Sequence, residues 1–363
     1  MYRKILFILL FLLMIIPLHA QKHKTRNVVL ITLDGFRWQE LFNGADSSLM
    51  HQQSAFVDPI GIKNHFWKSN TQDRRNILLP FIWGTIGKQG QIYGNRNLGN
   101  NVNVTNTMWF SYPGYNEILT GHSDDARINS NEKLLNPNEN VLEFINYQSG
   151  FRGRVAVFSS WDCFPYIINA ERNGILVSSG LVGAYGDKRT ENEKLLDHLM
   201  VSIPNPLENV RPDAFTFYYG LEYMKVNKPR VMYFAFDETD EFAHQAEYGA
   251  YLNSAHYTDR FIGELWSYLQ SDPFYRGCTT LILSSDHGRG QTEKEWTSHG
   301  GNIRGADQIW IAILGPDTRG DGEIKSPGQH YQNQIAKTLA AFLNMDYTAG
   351  GKAGTVIREA FRH

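Results

Sequence analysis

Consecutive rather than alternating apolar residues mark the strand positions of this chain. Asn27 to Leu33 (NVVLITL) is β-branched and apolar throughout, and Arg154 to Phe158, Arg230 to Phe236 (RVMYFAF), Thr279 to Ser284 (TTLILS) and Ile309 to Leu314 (IWIAIL) repeat the pattern. A strand apolar at nearly every position is covered on both faces, as in a parallel sheet between helical layers. Between these runs the spacing changes to three and four. Tyr251, Ala255, Thr258, Ile262, Leu265 and Leu269 predict a helix over Asn253 to Gln270, and Asn333 to Leu343 reads the same way. The alternation predicts an α/β fold: a mostly parallel central sheet with helices on both faces.

Two stretches fit the pattern poorly. Residues 43–106 are rich in Asn, Gly and aromatics, and residues 161–227 mix a Gly-rich segment with a charged helix from Glu191 to Met200. Neither is bounded by a Pro- or Ser-rich linker, so both read as insertions that wall or cover a site within one domain, residues 21–363. Residues 1–20 are different in kind. Arg3 and Lys4 precede an unbroken apolar run from Ile5 to Ile16, followed by Pro17 and the small residue Ala20, the pattern of a secretory signal. So short a helix rises only about 18 Å against the roughly 30 Å of a bilayer core. The chain is therefore expected to be exported, periplasmic or secreted, without a permanent membrane span; the alternative is an uncleaved leader that acts as a membrane anchor.

Composition narrows the function classes. The 363 residues are 42% hydrophobic and 20% charged, with Lys plus Arg (35) nearly balancing Asp plus Glu (37). Losing Arg3 and Lys4 with the leader takes the formal charge from −2 to −4. No basic field is available to coat nucleic acid. Cys163 and Cys278, the only cysteines, are one bridge or two buried thiols.

The chemistry lies where the Asp and His residues fall relative to the strands. Asp34 follows the first run, Asp240 and His244 follow RVMYFAF, Asp286 and His287 follow TTLILSS, and His299 lies in a Gly-flanked SHGG. The carboxyl ends of parallel strands line one crevice, where ligands bind. Three carboxylates and three imidazoles there suit two zinc ions better than calcium or magnesium. Asp237 reads as a helix cap or supporting residue, because Asp240 has the better spacing to His244. A nucleophile is available in NTMWFSYPGYNEILTG: Ser111 precedes Pro113 and would sit at or just before a helix amino terminus, where free amides favour an anion.

Together, TLDG at Asp34, SYPGYNEILTG at Ser111, DETDEFAH at Asp240 and His244, SSDHG at Asp286 and His287, and HGG at His299 resemble the alkaline phosphatase superfamily, closest to its type I phosphodiesterase/nucleotide pyrophosphatase-like branch. The resemblance runs from Asn27 to about Leu314. It implies one zinc held by Asp240, His244 and His299, and another by Asp34, Asp286 and His287 with Ser111 as nucleophile on it. It also implies an Asn holding a phosphoryl oxygen, for which Asn131 is the first choice and Asn129 the second. The branch usually carries Thr followed by Phe-Pro-Asn-His, where this chain has Ser111-Tyr-Pro-Gly-Tyr. The sulfatase C/S-x-P-x-R signature has Tyr115 in its Arg position here, and sulfatases favour an oxygen-rich calcium site.

The implied reaction is hydrolysis of a phosphate mono- or diester through a phosphoserine on Ser111. The substrate class is a small phosphorylated molecule: nucleotide, sugar phosphate or lipid head group. Arg127, Arg289 and Arg304 are candidates for the cation a monoesterase needs. Trp109, Phe110, Tyr112, Tyr115 and Trp161 are candidates for the apolar wall of a diesterase, with Tyr115 and Trp161 preferred as substrate contacts. The alternatives are a sulfatase-like or phosphonate ester hydrolase, or a protein that binds zinc or a phospho-ligand without turnover.

Overall fold

The computed structural model describes residues 23–51, 54–184, 189–207 and 209–362. The leader, residues 1–20, lies outside the described residues. The described residues form eleven strands: β1 (Asn27–Leu33), β2 (Gln91–Tyr93), β3 (Asn100–Asn103), β4 (Val155–Ser159), β5 (Leu176–Ser179), β6 (Val231–Phe236), β7 (Thr279–Ser284), β8 (Gln308–Ile309), β9 (Ile311–Leu314), β10 (Gly322–Glu323) and β11 (Gly328–Tyr331). Eight form one sheet in the order β10-β2-β9-β7-β1-β6-β4-β5, and β11-β3-β8 form a small second one. The five strands from β7 to β5 are mutually parallel; β9 runs antiparallel to both β7 and β2.

The unbroken apolar runs follow from coverage of both faces. Along β1, Val29, Ile31 and Leu33 enter one hydrophobic cluster while Val28 and Leu30 enter the other. On β6 the split is Met232, Phe234 and Phe236 against Val231, Tyr233 and Ala235, the two-residue alternation of a pleated strand buried on each side. One cluster takes Tyr251, Ala255, Ile262, Leu265 and Leu269 from the helix Tyr248–Ser271; the other takes Ile335, Ala336, Leu339 and Phe342 from Gln334–Phe342.

Three details differ from the pattern reading. The run Ile309 to Leu314 is not one strand. Ile309 pairs with Val102 in the small sheet, Ile311 pairs with Tyr93 and Ser284 in the large one, and the buried Trp310 donates to the Phe36 carbonyl at the break. Residues 43–106 and 161–227 are not pure excursions, since the first returns β2 to the large sheet, between β10 and β9, and the second supplies its edge strand β5. Short strands of three and four residues carry too little periodicity to be read from sequence. Cys163 and Cys278 are both buried free thiols, not a bridge.

Candidate functional site

The carboxyl ends of β1, β6 and β7 deliver the acidic and imidazole groups together. Asp34 directly follows β1. The helix Glu238–His244 begins two residues past β6 and sets Asp240 and His244 one turn apart on one face. Asp286 and His287 leave β7 fully buried. The ligand atoms of Asp34, Asp286 and His287 lie within 4.8 Å of one another, and so do those of Asp240, His287 and His299. His287 therefore belongs to both groups. His244 joins through Nε2, 3.0 Å from Asp240 Oδ2 and 2.9 Å from His299 Nε2, and is the outermost member, its side chain 46% exposed. Gly35 makes this closeness possible: a Cβ there would lie 2.5 Å from Asp240 Oδ1, and its φ of +56° suits glycine.

The donor set fits divalent cations. Asp34 Oδ1 and Asp286 Oδ2 are buried without any hydrogen-bond partner among the described residues, an arrangement that demands an ion or another donor. His287 Nδ1 lies 2.9 Å from the Gly288 carbonyl, so it donates there and turns Nε2 inward, 3.2 Å from Asp34 Oδ1 and 3.5 Å from Asp286 Oδ2. Burial lifts both carboxyls well above the usual range, reinforced at Asp34 by the charge of Asp240 and at Asp286 by that of Asp34. Asp240 is held well below it: burial opposes ionisation, but Arg289, His244 and His299 outweigh burial. Burial, then the adjacent His287, lowers His299 to about 2, leaving a neutral imidazole. His299 Nδ1 has no hydrogen-bond partner among the described residues.

Arg289 has a place other than a substrate contact. It is buried, bonds Asp240 Oδ1 through Nη1, and donates Nε to the Trp296 carbonyl (2.9 Å) and Nη2 to the Thr297 carbonyl (2.8 Å). One Asp240 oxygen is thus neutralised by Arg289 while the other faces His244. Arg127 is engaged with Asp124 and Asn138. The DHGRG sequence placed Arg289 near the cluster but carried no sign of its direction.

Ser111 is the first residue of the helix Ser111–Thr120, after an extended Phe110 (φ −147°, ψ 178°). Pro113 sits in the first turn, where no intrahelical N–H is required. This helix lies against the main chain of Asp286 because Gly114 has no side chain; a Cβ there would stand 2.3 Å from the Asp286 carbonyl oxygen. Ser111 Oγ comes 3.4 Å from His287 Nε2. The preceding turn is strained, with Trp109 at φ +54°. It is held by Asn106, whose Oδ1 accepts the amides of Met108 (3.2 Å) and Trp109 (2.9 Å). Asn106 in turn bonds the buried Glu117 carboxylate, which accepts three further bonds from the amides of Thr105 and Asn106. No motif in the sequence pointed to Glu117 or Asn106.

A cavity of about 360 Å³ is lined by Asp34, Ser111, Asn131, Trp161, Asp237, Asp240, Glu241, His244 and His299. Asn131 Oδ1 accepts the Tyr112 amide (2.9 Å), so the helix terminus keeps one free amide fewer than its sequence suggests. Tyr115 does not line the cavity. It is fully buried and donates its hydroxyl to Asp34 Oδ2 (2.7 Å), a positioning contact in place of the expected substrate wall. Tyr112 is likewise buried, its hydroxyl bonded to the Leu134 carbonyl. Asp237 occupies the N-cap position of the helix Glu238–His244, but its side chain makes no capping bond and faces the cavity instead. Glu241, the residue after Asp240, also lines it.

Comparison with known proteins agrees with this architecture. The family model described as type I phosphodiesterase / nucleotide pyrophosphatase matches residues 51–304. No curated protein sequence matches the chain. Among solved structures, the wild-type alkaline phosphatase PafA aligns with 94% of this chain and 100% of its own at 10% identity and a TM-score of 0.58. A phosphonate monoester hydrolase from Silicibacter pomeroyi aligns over 92% and 76% of the two chains at 12% identity and a TM-score of 0.57. The lipoteichoic acid synthase LtaP from Listeria monocytogenes aligns over 88% and 72%, at 12% identity and 0.55. At such identities the likeness is one of fold.

Proposed function

The chain belongs to the type I phosphodiesterase / nucleotide pyrophosphatase family, and from that premise we propose an exported, metal-dependent phosphate ester hydrolase that favours diesters and works through a phosphoserine on Ser111. The observation that carries this reading is the cavity: Ser111 shares it with four carboxylates, those of Asp34, Asp237, Asp240 and Glu241, and with no Lys or Arg. An anionic ester cannot approach such a wall until the negative charge is compensated. Asp34, Asp286 and His287 would hold one divalent ion and Asp240, His244 and His299 a second, zinc by the nature of the donors. Bound there, the two ions would supply positive charge to the transferring phosphoryl group and acidify the serine hydroxyl.

The chain's own residues then have distinct tasks. Ser111 Oγ forms a bond to phosphorus as the ester oxygen leaves with its alcohol, and water later cleaves the phosphoserine, releasing phosphate or its monoester and restoring the hydroxyl. With Oδ1 committed to the Tyr112 amide, Asn131 has Nδ2 left to donate to a non-bridging oxygen. Tyr115 orients Asp34, and Trp161 offers an aromatic face to the second ester group. A diester carries one charge on its phosphate where a monoester carries up to two, and no guanidinium in the cavity is available for the second.

Hydrolysis of paired nitrophenyl substrates, namely phosphate diester, phosphate monoester, phosphonate monoester and sulfate, with and without added zinc, tests the proposal. Zinc-dependent turnover with the diester fastest is expected; a monoester or sulfate preference would overturn the specificity. Residues 21–363 are proposed as one catalytic domain, with export resting on the leader. Among the described residues no helix is long and apolar enough to cross a membrane.

The Glu117 network gives a second expected result. Glu117→Gln places an amide donor against the Thr105 and Asn106 amides, leaving buried donors unsatisfied beside the Trp109 turn. Misplacement of Ser111 by a fraction of an ångström is expected to lower kcat by about ten- to a hundredfold while KM and metal content stay near the original values. Steady-state kinetics with metal analysis checks this, and an unchanged kcat would remove Glu117 from any positioning role.

A further inference from the structure

A cavity of about 830 Å³ opens at the other end of the sheet, where β1, β6 and β7 begin rather than end. His23, Lys24 and Arg26 precede β1, Arg230 precedes β6, and Arg276 and Cys278 precede β7; all line it together with Phe151. Four of the lining residues are Lys or Arg and none is Asp or Glu. Asp317, a carboxylate beside this rim, is occupied by the amides of Lys24 and Thr25 and by the Thr25 hydroxyl, with His23 3.9 Å away.

The cations are held apart from compensation in two ways. Arg230 stacks on Phe151 with its guanidinium carbon 3.9 Å from the ring centroid, and it donates twice to the Arg26 carbonyl (2.9 and 3.2 Å). Burial, then the charges of Arg26 and Arg154 close by, lower its proton affinity, so the fold keeps like charges together at some cost. The side chains of Lys24, Arg26 and Arg276 make no hydrogen bond or ion pair among the described residues. An uncompensated basic hollow of this kind calls for a ligand of opposite charge.

We infer that the basin formed by Lys24, Arg26, Arg230 and Arg276 seats the phosphate of an anionic phospholipid head group, docking the amino-end face of the sheet on a membrane with the catalytic cavity turned to solution. The position along the chain favours a membrane over a free anion. Six residues, 17–22, separate Ile16, the end of the apolar leader run, from His23 on the basin rim, a span of at most about 25 Å of extended chain. Before the leader is cleaved, or if it is retained as an anchor, that run holds this face close to the bilayer surface. The inference does not depend on the metal or nucleophile assignments.

The test compares the leaderless chain, residues 21–363, with its Lys24→Gln/Arg276→Gln variant, two exposed side chains without partners, so that the fold is left intact. Both proteins are sedimented with phosphatidylcholine vesicles, with and without phosphatidylglycerol. Each basic residue near an anionic surface contributes about fivefold in partitioning, so the double variant is expected to bind phosphatidylglycerol vesicles about thirtyfold more weakly. Binding to neutral vesicles and hydrolysis of the nitrophenyl ester should be unchanged. Equal partitioning of the two proteins on anionic vesicles would overturn the inference. So would wild-type protein that binds inorganic phosphate in a Lys24- and Arg276-dependent way but shows no preference for anionic vesicles.

Discussion

Ser111→Ala is expected to lower turnover of the best nitrophenyl ester by at least about a thousandfold while leaving the metal content unchanged. The two outcomes separate because Ser111 and the metal-holding groups have different structural origins. Asp34, Asp240, His244, Asp286, His287 and His299 are fixed by β1, β6, β7 and the His299 loop, whereas Ser111 is brought in by its own helix, which meets them through the Gly114 contact with Asp286. Removing Oγ deletes the nucleophile and costs the donor cluster only a 3.4 Å contact to His287. Acid quenching of the wild type during turnover, followed by peptide mass spectrometry, should show phosphate on Ser111 and none in the variant. Retention of full activity by Ser111→Ala would sink the nucleophile assignment and shift attention to direct attack by water.

Chelation should have the second large effect, and one that grows with pH. Asp34 and Asp286 are buried, adjacent to each other and to Asp240, and have folded-state proton affinities raised well above the unfolded value. Without a bound cation the native state holds more protons at these groups than the unfolded chain does. Their contribution to stability is therefore largest below about pH 4 and declines as the pH rises through the raised folded values. Asp240 has the opposite sign, since Arg289 above all keeps it ionised, and it loses its contribution only in strong acid. A divalent ion relieves the repulsion between ionised Asp34 and Asp286, so metal stabilisation should increase from pH 5 to pH 8. With free metal at a thousand times Kd the gain is about 4 kcal/mol, or roughly 5–10 °C in Tm for a chain of this size. Melting curves at the two pH values, with zinc and with chelator, check this; a metal effect independent of pH would mean that the two carboxylates are not ligands.

The sequence was most legible where a residue's role follows from its distance to a strand end. Asp34, Asp240 and Asp286 could be placed because unbroken apolar runs mark where β1, β6 and β7 stop, and in a parallel sheet those ends converge. The turn spacing between Asp240 and His244 was equally local. Tyr115 and Arg289 could not be placed, for the opposite reason. Each is close in sequence to a motif, but whether its polar end meets a substrate or a buried carboxylate depends on packing between segments about 80 and 49 residues away, at Asp34 and Asp240. Glu117 and Asn106 left no local trace at all, since a buried carboxylate among backbone amides looks in sequence like any helix glutamate.

By itself, then, the chain's pattern determined the α/β class, the covered central sheet and the group of Asp, His and Ser side chains at one edge, because strand periodicity and strand ends are encoded within a few residues. Only the tertiary structure decided that β2 and β5 return from the insertions to the large sheet, that His287 stands between both donor groups, that Arg289 neutralises Asp240, and that the cavity wall is acidic. It alone gathered Lys24, Arg26, Arg230 and Arg276 at the opposite edge. These are relations between side chains tens to hundreds of residues apart, fixed by the order and register of parallel strands that no local pattern specifies.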